Sequence, residues 1–338
     1  MKKPMVLLAG IAIFCIIIPV LISVLFYGNQ NDNLSDSIKK IDKLEKSPYE
    51  KVDSKSPTIS VYNSKTGKVQ SMDIETFLYG VLSMEMSSEF SEEALKAQAV
   101  AARTYIIYKI ENNIKAGHKG ADICTDYNHC QAYASYEELK EQKGDKWIRE
   151  SYPIIKQAVD DTKGQILTYN DKAILPLYFS TSSGMTENSE DVFMTNYPYL
   201  KSVSSPYEEN SPKYYTESVI DISRFIDILK NKYGDISISK NDLKNKIKII
   251  DRTTAGSVKS IQIGNKQLTG RDIRSIFDLN SSNFDISFAE DIVVFKVKGY
   301  GHGVGMSQWG AEGMANNSYT YDEILFHYYT NTDIKDMY

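Results

Sequence analysis

The stretch that decides the fold is residues 83–105, which reads S-M-E-M-S-S-E-F-S-E-E-A-L-K-A-Q-A-V-A-A-R-T-Y. Its second half is rich in alanine, and Ser91 stands ahead of two glutamates, a pattern that favours the start of a helix. We expect this helix to run to about Ala116, with Gly117 at its end. The many short alanine side chains predict close packing against another element.

Glu85 lies just before this helix and at the end of an earlier one. Asp73 can cap the earlier helix, and apolar residues recur through it at helical spacing. Met84 and Met86 flank Glu85, and Phe90 follows five residues on. A carboxyl group among apolar neighbours tends to have a raised pKa, so Glu85 is a candidate general acid. A solvated glutamate at a helix end is the alternative.

Two of the cations on the alanine-rich helix are candidate ligand-binding residues. Lys96 and Arg103 are seven residues apart, so they face the same side of the helix. There they could bind an anion or orient a carboxylate. Ordinary surface charges are the alternative.

A hydroxyl-rich loop follows a predicted strand at 173–179. Residues 180–188 read S-T-S-S-G-M-T-E-N and offer many small hydrogen-bonding groups, which suit sugar hydroxyls and acetamido groups. An ordinary polar turn is the alternative. The glycine-x-serine-x-glycine pattern of a nucleophile elbow is absent from this loop.

A glycine-rich segment follows a predicted strand at 292–297. Residues 299–311 read G-Y-G-H-G-V-G-M-S-Q-W-G-A, and so many glycines indicate unusual backbone angles or close backbone approach. The spacing matches neither a P-loop nor the dinucleotide-binding fingerprint. His302 by itself is typical of a structural or surface histidine.

The N-terminus differs from the rest of the chain, because residues 4–27 carry no charge. As a helix they would be roughly 36 Å long, enough for the ~30 Å hydrocarbon core of a bilayer. Lys2 and Lys3 precede them, which places the N-terminus in the cytoplasm. We therefore predict a transmembrane anchor at 1–27, a polar linker at 28–57 and an extracytoplasmic domain. A cleaved signal peptide is the alternative, although its apolar run should be shorter.

Composition excludes several classes of protein. The chain has 338 residues and a net charge of −5, with no basic run longer than two residues, which argues against nucleic-acid binding. Its 42% hydrophobic and 25% charged residues are ordinary for a globular protein. Three cysteines are too few for a disulfide-rich scaffold.

Four candidate metal ligands fall within 13 residues: His118, Cys124, His129 and Cys130. Two cysteines and two histidines make a complete tetrahedral zinc set, which favours a closed structural site over a catalytic one. The spacing is not that of a standard zinc finger. A Cys124–Cys130 disulfide is the main alternative, because an extracytoplasmic compartment permits oxidation.

Residues 58–338 are predicted to form an α+β domain of mixed helices and strands, with residues 208–290 as an inserted lobe. Beyond the segments above, we expect a hairpin at 58–72, strands at 165–169 and 199–203, and a hairpin at 247–263. Further helices are expected at 221–233, 270–277, 306–317 and 320–329.

Three of these motifs together resemble the stage II sporulation protein D family. They are residues 85–105, the loop ending at Thr186–Glu187, and residues 301–311 with H-Y-Y-T at 327–330. The resemblance covers residues 57–338, and the anchor and linker also match the family layout. The metal cluster is typical of only part of the family, mostly clostridial-type members.

The resemblance implies a membrane-anchored lytic transglycosylase of endospore-forming bacteria. Such an enzyme cleaves the MurNAc–GlcNAc β-1,4 bond of peptide-free peptidoglycan strands and leaves 1,6-anhydroMurNAc ends. The resemblance also implies a role in engulfment, on the mother-cell side of the septum, with stage II sporulation proteins P and M as partners.

The resemblance also implies roles for individual residues. Glu85 matches the catalytic acid of the family's Glu-Met-Pro motif, with Ser87 in place of the proline. The loop and the glycine-rich segment would line a glycan groove near Glu85. The predicted substrate-binding residues are Lys96, Arg103, Ser180, Thr181, Ser182, Ser183, Gly184, Glu187, His302 and Gln308. Two other function classes stay open, a zinc-dependent cell-wall amidase and a non-catalytic glycan-binding scaffold.

Overall fold

A 20-residue helix, Glu92–Glu111, lies at the centre of the fold. The structure, a computed structural model, describes residues 56–115, 117 and 119–338. Its helices are α1 (Ile74–Glu85), α2 (Glu92–Glu111), α3 (Tyr136–Glu150), α4 (Tyr152–Asp161), α5 (Ser189–Phe193), α6 (Ile222–Lys232), α7 (Gly270–Phe277), α8 (Gln308–Asn316) and α9 (Tyr321–Tyr328). Its strands are β1 (Thr58–Asn63), β2 (Lys68–Asp73), β3 (Ile123–Cys124), β4 (Gln165–Tyr169), β5 (Lys172–Ala173), β6 (Tyr178–Phe179), β7 (Tyr215–Asp221), β8 (Ile247–Arg252), β9 (Val258–Ile263), β10 (Lys266–Leu268), β11 (Phe284–Ala289), β12 (Ile292–Lys298), β13 (Met306–Ser307) and β14 (Asp333–Asp336).

The alanine-rich helix α2 packs against α1, α4, α8, α9 and β4. Its alanines are fully buried, which allows the neighbouring elements to approach closely. The predicted start of this helix is confirmed, but the predicted end is wrong. The helix ends at Glu111 rather than Ala116, and Asn113 has a left-handed φ of 51°. The Ser91 hydroxyl makes no cap bond and instead contacts Glu312 of α8.

The strands of the described residues form five small sheets. Two parallel pairs bring distant segments of the chain together. In one, β3 lies beside β1, which brings Cys124 to the start of the domain. In the other, β6 lies beside β13, with Tyr178 opposite Met306 and Phe179 opposite Ser307. The second pair joins the hydroxyl-rich loop to the glycine-rich segment.

Residues 215–298 build a second hydrophobic core. The sheet β11-β12-β7 and the sheet β10-β9-β8 pack with α6 and α7 around a cluster of phenylalanines. The Phe225 and Phe277 rings are stacked, with centroids 4.7 Å apart, and Phe277 lies 5.3 Å from Phe295. This core falls largely within the predicted lobe at 208–290, whose independence as a domain stays a prediction. All described residues belong to one compact unit.

The predicted α+β class is confirmed for the described residues, with local exceptions. The predicted strand at 199–203 is wrong, because this segment is irregular, and the bridge to Met185 is made by the next residue, Ser204. Helices α3 and α4 were not predicted. No helix of the described residues has the length and apolar character needed to cross a bilayer. The predicted anchor, and all but the last residues of the linker, lie outside the described part of the chain.

Candidate active site

Glu85 is the last residue of α1. Asp73 caps the start of this helix by accepting a hydrogen bond from the Thr76 N–H, as predicted. The backbone becomes extended at Met86, which ends the helix. The Glu85 carboxyl is therefore carried by the rigid end of a helix whose apolar face is buried.

The Glu85 carboxyl is largely buried and meets two hydrogen-bond donors. Its Oε1 atom accepts a bond of 2.9 Å from the Ala132 N–H, and the Gln308 side chain also bonds to it. Burial raises the pKa of Glu85, and the two hydrogen bonds oppose this rise without cancelling it. A carboxyl with a raised pKa can keep its proton closer to neutral pH and can deliver it as a general acid.

The apolar neighbours of Glu85 differ from the prediction. Met86 is buried, but Met84 is 38% exposed and points away from the core. Phe90 packs edge-on against Trp309, with ring centroids 4.9 Å apart. Tyr178 also lies close enough for the Glu85 charge to raise the pKa of its phenol, after the larger effect of burial.

The glycine-rich segment positions Gln308 beside the Glu85 carboxyl. Gly299, Gly301, Gly303 and Gly305 all have positive φ, between 77° and 126°. At Gly305 a side chain would collide with the backbone of the segment before β6, so only glycine permits the parallel pairing of β13 with β6. Helix α8 then starts at Gln308, next to the paired strands.

His302 is a neutral residue that holds this loop together. Its Nδ1 atom accepts a bond of 3.1 Å from the Val304 N–H, and its ring packs between Phe179 and Phe193. Burial, helped by the nearby charges of Arg274 and another arginine, lowers the pKa of His302 to about 4. His302 is thus packed within the loop, and its predicted contact with substrate stays a prediction.

The hydroxyl-rich loop uses much of its hydrogen-bonding capacity inside the protein. Thr181 and Ser182 are each 1% exposed. The Thr181 hydroxyl bonds to that of Ser211 at 2.7 Å, and the Ser182 hydroxyl donates to the Met185 carbonyl at 2.9 Å. The fold therefore uses both hydroxyls internally, and their predicted contact with sugar stays a prediction.

Ser180, Ser183 and Gly184 remain at the partly exposed side of the loop. The Ser180 carbonyl accepts a bond of 3.0 Å from the Trp309 N–H, so this residue lies beside the aromatic pair. Gly184 has a φ of 110° and open space around it. These three residues stay candidates for the groove.

Glu187 lies on the opposite side of the loop and connects it to the lobe. It is 3% exposed, its N–H donates to the Gly303 carbonyl, and its Oε1 atom accepts from the Thr253 hydroxyl at 3.0 Å. Burial raises the pKa of Glu187. These contacts place Glu187 within the packing between two loops rather than at the Glu85 carboxyl.

The two predicted cations on α2 have separate structural roles. Arg103 is fully buried and forms a double ion pair with Glu75, with N–O distances of 2.8 Å and 2.6 Å. Its remaining donors bond to backbone carbonyls of Gln165 and Val159. Arg103 therefore supports the core and has no face open to substrate. Lys96 instead pairs with acidic residues near the surface: Glu92, Glu93 and Asp161.

Three of the four candidate metal ligands lie close together. The ligand atoms of Cys124, His129 and Cys130 all lie within 4.8 Å of one another. Each sulfur is 3.6 Å from the His129 Nδ1 atom, which matches the roughly 3.6 Å edge of a tetrahedron with zinc–sulfur and zinc–nitrogen bonds of ordinary length. Cys124 and Cys130 are not joined by a disulfide in the structure. The predicted fourth ligand, His118, lies outside the described residues.

Several residues of the site were not predicted. Ala132 contributes only its backbone N–H, and the sequence carries no signal for such a contact. Gln131 donates a bond of 3.0 Å to the Tyr178 hydroxyl beneath Glu85. Glu208 is 1% exposed and accepts bonds from the loop and from β13, although its sequence neighbourhood resembles a charged surface turn.

Comparison with known proteins assigns the chain to a family. The family model SpoIID, described as stage II sporulation protein, matches residues 62–169. The chain is 34% identical to stage II sporulation protein D of Bacillus subtilis (strain 168), over 99% of this chain and 96% of that protein. It has the same identity and coverage with the Bacillus amyloliquefaciens protein of that name.

A further relative is the amidase enhancer of Bacillus subtilis (strain 168), which is 28% identical over 76% of this chain but only 40% of that protein. The two similarities to stage II sporulation protein D extend over nearly the whole chain, including the described site. The chain therefore belongs to the stage II sporulation protein D family.

Proposed function

We propose that this sporulation protein is a lytic transglycosylase that cleaves the MurNAc–GlcNAc β-1,4 bond of peptide-free glycan strands during engulfment. The observation that carries the proposal is the Glu85 carboxyl, whose pKa is raised by burial at the end of α1. Ala132 and Gln308 hold this carboxyl in one orientation. A positioned acid of raised pKa is the group that glycosidic bond cleavage requires.

In the proposed reaction, protonated Glu85 gives its proton to the departing glycosidic oxygen. The acetamido group of the substrate shields the positive charge that develops at C1 of MurNAc. Ionised Glu85 then removes the proton of the C6 hydroxyl, whose oxygen attacks C1 and closes the 1,6-anhydro ring. The proton lost in the first step is regained in the second, and no water is consumed.

The surroundings of Glu85 favour a single-carboxylate mechanism. Hydrolytic glycosidases use two carboxyl groups on either side of the scissile bond. Within the described residues, the hydrogen-bond partners of the Glu85 carboxyl are the Ala132 N–H and the Gln308 side chain, and neither is a carboxyl group. The edge-to-face pair of Phe90 and Trp309 adds aromatic surface of the kind on which sugar rings can pack.

The test is the product formed from peptide-free glycan strands, identified by mass spectrometry. The wild-type chain should yield 1,6-anhydro ends, and Glu85→Gln should yield none because the amide carries no transferable proton. Glu89→Gln is the matched control, since Glu89 is an exposed carboxyl four residues away. Reducing ends would instead indicate hydrolysis, and glycan binding without new ends would favour a scaffold.

We also propose that Cys124, His129 and Cys130, with His118, hold a structural zinc ion. Such an ion would fix the loop that ends at Ala132, two residues beyond Cys130. A closed site of this kind leaves no open position for substrate, which disfavours a zinc-dependent amidase.

Metal analysis tests the zinc proposal. Chain purified without chelators should carry about one zinc per molecule, and Cys130→Ser should lose it. His327→Gln is the control, because His327 bonds to the Ser204 carbonyl away from the cluster. Metal-free chain in which the two thiols resist alkylation until reduced would show a disulfide instead.

Membership of the family also supports a proposal about the location and the partners of the chain. We propose that residues 1–27 anchor the chain in the cell membrane, with the catalytic domain outside the mother-cell membrane. Peptidoglycan and stage II sporulation proteins P and M are the proposed partners.

A further inference from the structure

A buried carboxylate, Glu208, connects the two loops of the candidate site. Glu208 is 1% exposed, in a short 3₁₀ turn at Glu208–Asn210. Its Oε2 atom accepts a bond of 3.1 Å from the Ser182 N–H of the hydroxyl-rich loop. It also bonds to the hydroxyl of Ser307, the residue just before α8. The mechanism proposed above does not use this carboxylate.

The structure fixes Glu208 from the remaining sides. Its Oε1 atom accepts a bond of 2.6 Å from the Ser205 hydroxyl, which also bonds to the Tyr328 hydroxyl at 2.8 Å. Gly310 faces the carboxylate, and a Cβ there would lie 2.6 Å from Glu208 Oε1. Only glycine at this position lets the first turn of α8 pack so closely on Glu208.

Ser307 is the link between Glu208 and the reacting carboxyl. Its hydroxyl caps α8 by accepting a bond of 3.2 Å from the Gly310 N–H. The same hydroxyl accepts a bond of 3.2 Å from the Ser182 N–H, so one N–H is shared between Ser307 and Glu208. Gln308 follows Ser307 directly and bonds to Glu85. Glu208 is thus connected to Glu85 in three steps: its bond to Ser307, the peptide link from Ser307 to Gln308, and the bond from Gln308 to Glu85.

We propose that Glu208 is a positioning residue for Glu85: its carboxylate fixes Ser307 at the start of α8, and this placement aims the Gln308 amide at the Glu85 carboxyl. The functional meaning rests on the proposed role of Glu85 as the acid and base of the reaction. A group that holds Gln308 in place determines how strongly the ionised form of Glu85 is stabilised.

Several titratable groups face Glu208. They are Tyr328 of α9, the adjacent Glu209, and Tyr214 before β7. Burial raises the pKa of Glu208 to about 7, against the opposing effect of its hydrogen bonds from Ser205, Ser307 and Ser182. Removing this carboxyl would leave its buried hydrogen-bond donors without a partner, which costs free energy of folding. This is consistent with a role of Glu208 in holding the surrounding loops.

The test is the pKa of Glu85, measured by carboxyl ¹³C NMR titration of the full chain and assigned by the signal that Glu85→Gln removes. The Gln308 bond lowers the pKa of Glu85, so Gln308→Ala should raise it. Glu208→Ala should shift it upward too, and the double variant should shift it no further than Gln308→Ala alone. Glu209→Ala is the matched control and should leave it unchanged, because Glu209 is exposed.

An unshifted Glu85 pKa in folded Glu208→Ala, or shifts that add fully in the double variant, would overturn the proposal. If Glu208→Ala does not fold, Ser307→Ala takes its place, because it removes the hydroxyl that joins Glu208 to α8, together with the hydrogen bonds which that hydroxyl accepts from the Gly310 and Ser182 N–H groups. That variant should raise the Glu85 pKa, and no rise would overturn the proposal equally. The titration needs no turnover, so a wild-type chain that forms no anhydro ends would defeat the proposed function without deciding this inference.

Discussion

The two ends of helix α1 each carry a glutamate, and the two carboxyl groups have different partners. Glu75, in the first turn, is buried and pairs with Arg103 through two charged hydrogen bonds. Glu85, in the last turn, is largely buried, and its hydrogen-bond partners among the described residues are the Ala132 N–H and the Gln308 side chain. Glu75 lies against a buried cation, whereas burial without a neighbouring cation raises the pKa of Glu85. The residue type is the same, so the surroundings decide whether a carboxyl serves stability or chemistry.

The largest expected effect on stability comes from breaking the ion pair between Glu75 and Arg103. Arg103→Met leaves the Glu75 carboxylate buried without a cation, which should lower the free energy of unfolding by about 3–5 kcal/mol. Chemical denaturation followed by circular dichroism measures this loss. The double variant Glu75→Leu/Arg103→Met should recover part of it, since no unpaired charge is left. An Arg103→Met chain as stable as wild type would show that the pair is not what holds this region.

The second prediction concerns the pH dependence of stability at Glu85. Because the folded-state pKa of Glu85 is raised above its ordinary value of 4.5, the fold favours the protonated carboxyl. That contribution is complete below the unfolded-state pKa and is lost as pH rises through the folded-state pKa.

The Glu85→Gln variant cannot ionise and should not lose this contribution. Its Tm relative to wild type should therefore rise as pH increases from 4 to 8, as measured by thermal melts. Glu89→Gln should show no such trend. A Tm difference that stays constant across this range would contradict a raised folded-state pKa for Glu85.

The smallest expected effect is at Lys96, whose ion pairs lie near the surface. Lys96→Met should cost about 1 kcal/mol or less, because solvent screens such pairs far more than the buried one. It should leave the cleavage products unchanged, since Lys96 is engaged by Glu92, Glu93 and Asp161. Lys140→Met is a matched control for an exposed lysine. Loss of cleavage in a stable Lys96→Met chain would restore Lys96 as a substrate-binding residue.

Local patterns predicted the framework around these sites well. Asp73 caps α1 as expected, and the alanine-rich pattern after Ser91 forms a buried helix. The hairpins at 58–73 and 247–263 also follow from alternation and turn residues within the sequence. Such signals are local, so a single sequence contains them completely.

Other features were missed because they depend on contacts between distant residues. The sequence places Arg103 and Lys96 on the same face of one helix. Only the packing shows that Arg103 is buried against Glu75 and that Lys96 lies near the surface. The hydroxyls of Thr181 and Ser182 resemble ligands in the sequence, yet the fold uses both internally. Glu208 carried no signal at all, because its role comes from the loops that surround it.

The sequence by itself determined the resemblance to the family, the presence of helices α1 and α2, and the identity of Glu85 as the candidate acid, since motifs and periodicity are properties of the chain. Only the tertiary structure decided which carboxyls are paired, which hydroxyls are free and which backbone N–H meets Glu85. The physical reason is that a pKa depends on burial and on partners brought together through space. The Ala132 N–H and the Gln308 side chain reach Glu85 from 47 and 223 residues further along the chain.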